Sequence, residues 1–444
     1  DGITNKVLAE KVAFRDMREQ STPLARVSLE MNRNGSYLRT GSLFKWSNEE
    51  LGITEMILRV GKISYGTLLN GTIEVDAIED VFGYGETIYS GDNYDGHVSS
   101  DPDPELIDDW WMFETPYYMY IRKTGALTDA LGTDGGTLTV VAKKQTYTDR
   151  SFYVFHNAYG DWQAAQRVGG FAPAGDIAFD IAKQDYEILV YFDEPQYIEA
   201  GYSLLVCTGV PTSPASREHE IMEVISADES DSPAAGTAWR LSVKRGCADT
   251  VPLHFAGSGG AKAYVFEKGY GLITADLIDG DTCGVRLYAT NNKGTYSTTE
   301  SPSPTEYTTT MCKRAFLPYP PAGLKVNGEK YPDHVDSSPD SLVFTWQHRN
   351  RDTQMGELFD TWETIAALPA NHEYEVRLYG SATNNGTLTL ARTTLTTAAG
   401  ITWTDAEQFS DLGYRPARVK IIVTTINNTT SDRSFTSAEH TFTQ

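Results

Sequence analysis

The sequence predicts a mainly β, multidomain protein: a short N-terminal helix, then β-barrel or β-sandwich domains, then a final β-sandwich. Three observations point there. From residue 127 onward, apolar residues fall in strand-length runs separated by turns that carry Gly and Asp. At 444 residues the chain is longer than a single core usually grows. A Ser-, Thr- and Pro-rich stretch, 295–321, ends in Pro318-Tyr319-Pro320-Pro321 and reads as an extended boundary before the last segment.

The elements follow in order. Asn5 is a candidate N-cap, and Val7, Leu8, Val12, Phe14 and Met17 form a helical stripe that Pro23 closes. Ala25, Val27, Leu29 and Met31 alternate with polar residues, as in a half-buried strand. Asn34-Gly35 then reads as a hairpin turn. Strands are predicted over 56–63 and 72–78, with Ile73, Val75 and Ala77 on one face. Residues 84–105 lack periodicity and read as a long loop. Further strands are expected at 137–142, 186–191, 202–207, 239–243, 342–346, 374–379, 387–390 and 419–425. The expected divisions are 1–85, 86–190, 191–315 and 316–444.

Composition narrows the function. A formal charge of −23 and the lack of a Lys/Arg run argue against holding nucleic acid. No apolar stretch approaches the ~18 residues of a membrane span. The chain starts with Asp1 rather than Met and is read as a piece of a longer product. Cys207, Cys247, Cys283 and Cys312 are widely spaced and read as buried free thiols.

No residue set emerges as catalytic, cofactor-binding or metal-ligating. His219-Glu220-Ile221-Met222-Glu223 opens like a zinc-protease helix but lacks the second His, and reads as a solvated charged loop or strand end. Gly257-Ser258-Gly259-Gly260 lacks the spacing of a nucleophile elbow and reads as a turn. Asp92-Asn93-Tyr94-Asp95-Gly96, with Asp101, Asp103 and Glu105, is the best cation candidate, although Tyr94 breaks the calcium-loop spacing; a solvated loop is the default. Carboxylate pairs such as Asp108-Asp109 and Glu79-Asp80 are too common here to discriminate. The aromatic cluster Trp110, Trp111, Phe113, Tyr117, Tyr118 and Tyr120 suits a core or subunit interface, with a sugar-stacking platform as the alternative. Asn34, Asn70, Asn385, Asn427 and Asn428 begin Asn-x-Ser/Thr triplets, read as ordinary turns.

Three phrases carry a resemblance. The first, 63–85, contains Tyr65-Gly66-Thr67-Leu68, Gly71-Thr72-Ile73 and Glu79-Asp80-Val81-Phe82. The second, 243–257, contains Arg245-Gly246, Asp249-Thr250-Val251-Pro252, His254 and Gly257. The third, 314–329, contains Pro318 to Gly328. Together and in this order they resemble the central tail-tip or baseplate hub proteins of long-tailed bacteriophages. Cys247 and Phe255-Ala256 depart from the commoner residues of that family. Trp346 in an early strand and Tyr374 in the middle make 316–444 look like a fibronectin type III domain.

The resemblance implies a structural virion protein and no enzyme. It implies a homotrimer at the tail tip, assembled in the host cytoplasm, that closes the channel, anchors fibres and opens for genome ejection. Implied partners are the distal tail protein, other tail-tip proteins, tail fibres and tape-measure protein. A host cell-surface receptor is a further candidate, and genomic DNA is met only in transit. No cofactor or metal is implied. The alternatives are a tail-associated receptor-binding or adhesin protein and a polysaccharide-degrading tail enzyme.

Overall fold

The computed structural model describes residues 24–67, 71–80, 102–124, 134–194, 196–208, 218–229, 237–257, 260–266, 270–296, 304–336, 341–354, 357–363 and 367–444. The chain forms two compact units, Asp1–Val98 and Ser99–Gln444. The predicted N-terminal helix and the acidic run Asp92–Gly96 lie outside the described residues, as do Asp101, Asn70 and Val81-Phe82.

The first unit holds β1 (Arg26–Asn32), β2 (Leu43–Asn48), β3 (Ile53–Ser64) and β4 (Thr72–Glu79), joined antiparallel in the order β1-β4-β3-β2. Ile73, Val75 and Ala77 are buried together with Leu58 and Val60, as the period-2 pattern requires. The expected hairpin at Asn34-Gly35 is not formed. The Asn32 side chain accepts from the Asn34 N–H at 3.0 Å and starts a 3-10 turn over Arg33–Tyr37. That local bond competes with a two-residue loop. β1 therefore pairs with β4, from Arg26↔Ile78 to Asn32↔Thr72, instead of with β2. Asp80, in the first phrase, is buried and takes the Arg59 guanidinium at 3.2–3.3 Å.

The second unit begins with β5 (Trp110–Glu114), α1 (Tyr117–Thr124), β6 (Gly135–Ala142), β7 (Ser151–His156) and β8 (Gln163–Val168). Then come β9 (Ala174–Ile177), β10 (Glu187–Phe192), β11 (Ser203–Thr208), β12 (His219–Glu229), β13 (Ala238–Lys244) and β14 (Ala261–Val265). These six close a barrel in the order β10-β13-β12-β11-β14-β9. Its first and last strands pair side by side. Its interior is apolar, with Val190, Leu204, Val206, Met222, Leu241, Val243 and Phe255 all buried.

After the barrel the chain returns. β15 (Tyr270–Ile278) joins β6 and β5 in one sheet; β16 (Thr282–Thr290) and β17 (Tyr307–Thr310) join β7 and β8 in another. The barrel is thus inserted between two halves of a pair of sheets. β5 and β6 are buried at every residue. One face, with Trp110, Met112, Leu138 and Val140, packs on Phe152, Val154, Val285 and Leu287. The opposite face, with Trp111, Phe113 and Val141, packs on Leu205, Ile221 and Tyr264 of the barrel and on α1. A strand covered on both faces carries a continuous apolar run, which is why Trp110 and Trp111 sit adjacent.

The last segment forms two facing sheets. β18 (Ala322–Val326), β19 (Glu329–Lys330) and β20 (Leu342–Gln347) lie in one; β21 (His372–Ser381) and β22 (Thr389–Thr396) lie in the other. β23 (Gly400–Trp403) returns to the first. After α2 (Asp405–Leu412), β24 (Arg418–Asn427) and β25 (Ala438–Thr443) complete the second. The orders are β19-β18-β20-β23 and β22-β21-β24-β25, the distribution of a fibronectin type III-like sandwich. Trp346 meets Tyr374 edge-on, ring centroids 5.4 Å apart, within a core of Phe344, Trp403, Val376, Ile421 and Phe442. Val419, Ile421 and Val423 all point into it, as their alternation predicts.

Candidate functional site

Among the described residues, the most constrained chemistry is a buried ionic junction in the second unit, at which the barrel, the sheet pair and the terminal sandwich meet. It grows from β12. Adjacent residues on a strand point to opposite sides, so His219 and Glu220 serve two different arginines.

Glu220 is fully buried, and so is Arg245, which follows β13. The Arg245 Nε and Nη2 donate to the two Glu220 carboxylate oxygens at 2.8 and 2.9 Å. Nη1 donates to the carbonyls of Ala182 and Asp185, and Nη2 also to that of Leu253. Every guanidinium N–H is thereby used. Glu220 also accepts the Gly246 N–H at 2.7 Å and the Leu253 N–H at 2.9 Å. Burial is the largest influence and disfavours the charged guanidinium, yet Glu220, with smaller help from Tyr331 and Asp185, leaves Arg245 above its ordinary value. Arg245 also reaches the sandwich: its N–H donates to Asp360 Oδ2 at 3.1 Å, and its carbonyl accepts the Thr361 N–H at 2.9 Å.

Arg314 forms the second clamp, in a 3-10 turn (Arg314–Phe316) that leads out of the sheet pair. Its Nε and Nη2 donate to the Asp249 carboxylate at 2.6 and 2.8 Å, a bidentate pair. Nη1 donates to the Glu114 carbonyl at 3.0 Å and lies 3.0 Å from His219 Nε2. A guanidinium only donates, so that imidazole nitrogen is the acceptor. The guanidinium also sits 4.0 Å from the centre of the Phe435 ring, which comes from the sandwich. The Glu114 carboxylate accepts the N–H groups of Cys312 and Arg314 at 2.7 Å each. Burial pushes this carboxyl above its usual range, and those amides oppose the shift.

Further bonds cross the same seam. Thr436 Oγ1 donates to the Asp249 carbonyl at 2.7 Å, and Lys244 Nζ to that of Leu358 at 2.9 Å. Arg349, whose pKa burial lowers, donates across the seam to the Ala248 carbonyl and within the last segment to that of Phe359. Pro318 to Pro321 lies outside helix and strand and is buried along its length.

Gly246 explains the Arg-Gly pair. Its φ is +58°, and an added Cβ would lie 2.5 Å from Pro252 Cδ. Gly246→Ala is expected to destabilise the protein by about 1–3 kcal/mol or more, read as a lower urea midpoint.

The sequence expectations separate here. His219-Glu220 is a strand end as read, but it is buried rather than solvated. The missing signal was its partner, Arg245, a strand away. Trp110 and Trp111 are 2% and 1% exposed, with Trp110 4.4 Å from Tyr307 between ring centres, so this cluster is core and offers no sugar platform. Asp109 accepts from Lys262 and from the Tyr264 hydroxyl, a structural role. Asp103 pairs with Lys293 at 2.8 Å. Among the described residues, no His, Cys, Asp and Glu cluster is arranged to hold a metal. Cys207, Cys247 and Cys283 are buried and Cys312 half-buried. Burial pushes the Cys207 and Cys247 thiols well up, and Cys283 to about 11, so these three are poor nucleophiles.

No family model and no curated protein matches the chain. Solved structures do. The chain is similar to a two-domain fibronectin type III segment of chicken tenascin. The identity is 10%, over 62% of this chain and 99% of that one, with a TM-score of 0.17. It is also similar to the FN1–FN3 domains of chicken CNTN1, at 9% identity over 69% and 94% of the two chains, with a TM-score of 0.17. At this similarity the fold is read from the strand order of the chain itself.

Proposed function

We propose that this chain is a structural component of a bacteriophage tail tip: a baseplate hub that works by shape and self-association. In this reading three copies close the end of the tail channel, anchor fibres and part to release the genome. The observation that carries the reading is the convergence of the second and third phrases. Arg245-Gly246 and Asp249 come from one, Arg314 to Pro321 from the other, and they meet in the same buried junction. These residues of the second and third phrases tie barrel, sheet pair and sandwich together, as a part under mechanical load requires. The net charge of −23 also suits a channel lining that repels passing DNA. The distal tail protein, tape-measure protein and tail fibres are the expected partners, with a host receptor beyond them.

The alternative of a polysaccharide-degrading or adhesin tail protein loses one support, since Trp110 and Trp111 are enclosed. The test is the mass of the purified protein, by mass photometry, together with its location on averaged particle images. A trimer at the threefold end of the tail is expected. A stable monomer that cleaves host glycan would end the proposal.

A further inference from the structure

Arg349 follows β20 and is 3% exposed. A guanidinium carries five N–H donors. Among the described residues this one uses two of them, on the carbonyls of Ala248 at 3.2 Å and Phe359 at 3.4 Å, and has no carboxylate within ion-pair distance. Asp360 and Glu363 favour its charge only from farther away. Arg245 and Arg314, also buried, each hold a carboxylate through two N–H groups. Arg349 is thus a buried cation without a counter-ion, a state that proteins rarely keep.

Arg349 lines a cavity of about 50 Å³ between the Phe316–Tyr319 run, the turn after β20, the start of β21 and the end of β24. That is room for a few waters or one small oxyanion, and too little for a sugar or a nucleotide. The lining is rich in donors. Asn350 and Asn427 spend their side-chain oxygens on the N–H groups of Asp352 at 3.0 Å and Thr429 at 2.9 Å, which leaves each NH2 end to donate. Arg351 donates from Nε to Asp352 and from Nη1 to the Ala315 carbonyl, which leaves Nη2. Asp352 is the one carboxylate among the described residues of the lining. It pairs with Arg351, so those two charges offset and that of Arg349 remains. His372 donates from Nδ1 to the Ala370 carbonyl, since a carbonyl only accepts. A donor-rich wall with one net positive charge selects an anion: a cation is repelled, and a neutral ligand leaves the charge uncompensated.

We propose that this cavity binds a single small oxyanion of the phosphate or sulfate class, which serves Arg349 as its counter-ion. Arg349 and Arg351 donate to its oxygens, and the Asn350 and Asn427 amides complete its shell. The ion meets both the run that leaves the sheet pair and three places on the sandwich, so its binding holds the two together. No bond is made or broken. The site stands whether or not the chain is a phage hub.

The test is isothermal titration of the whole chain with inorganic phosphate, with sodium chloride adjusted to hold the ionic strength fixed, and calorimetric melting of the same samples. Saturable binding of one ion per chain is expected, with a melting temperature that climbs as phosphate rises. Arg349→Met should abolish both. Arg351→Gln, at a half-buried position, should weaken binding by about tenfold, the scale of one lost charge-assisted contact. It keeps the test open should Arg349→Met fail to fold. A cavity that holds only water would give no phosphate dependence, and undiminished binding in folded Arg351→Gln would place the ion elsewhere; either result would overturn the proposal.

Discussion

Arg245→Met is expected to destabilise the second unit by about 3–5 kcal/mol, because it strands the Glu220 carboxylate in the core without its counter-charge. The size of the loss comes from where the pair sits. Both side chains are fully buried, and Glu220 takes four donors, two of them from Arg245. Replacing both residues, Glu220→Leu with Arg245→Met, should return a good part of that loss, since the uncompensated charge is gone. The Gly246 and Leu253 amides and the Ala182, Asp185 and Leu253 carbonyls would remain unmet, so recovery should be incomplete. Urea denaturation of the two single variants and the double variant gives the coupling energy directly. A single variant with wild-type stability would show that the pair contributes nothing.

Arg314→Leu is the second large effect. The substitution strips Asp249 of its bidentate partner and removes the donors to the Glu114 carbonyl and His219. The expected loss is again about 3–5 kcal/mol. It should also have a shape. Arg314 contacts barrel, sheet pair and the Phe435 ring of the sandwich, so its loss should make the sandwich melt apart from the rest. Calorimetry should then resolve a second transition. Arg314→Lys keeps the charge but not the planar fork, and should fall between wild type and Leu. One unshifted transition in the Leu variant would count against a clamp here.

The strands were legible because their evidence is local. Val419, Ile421 and Val423 declare an inward face by alternation alone, and Trp346 and Tyr374 meet in the core as their positions suggest. What failed to show were features whose cause lies elsewhere in the chain. Asn34-Gly35 has hairpin chemistry, but Asn32 captures the Asn34 amide first, and β1's partner is β4, beyond the next two strands. His219-Glu220 looks solvent-facing until Arg245 and Arg314 are placed beside it. Pro318 to Pro321 has the composition of a linker, yet it is buried along its length. That residues 245–249 and 314–321, far apart in the chain, share one junction is a fact of three dimensions.

The placement of the barrel within the paired sheets bears on how the chain is made. Its six strands lie within 174–265, and the first and last are neighbours. During vectorial synthesis this body has all its strands once residue 265 has left the ribosome. The two hairpins that precede it, β5 with β6 and β7 with β8, must wait for their second neighbours, because β6 gains β15 and β7 gains β16 only as the chain reaches Thr290. For that interval the nascent chain carries a finished barrel flanked by open strand edges, the state in which a β-rich polypeptide is most exposed to pairing with its neighbours.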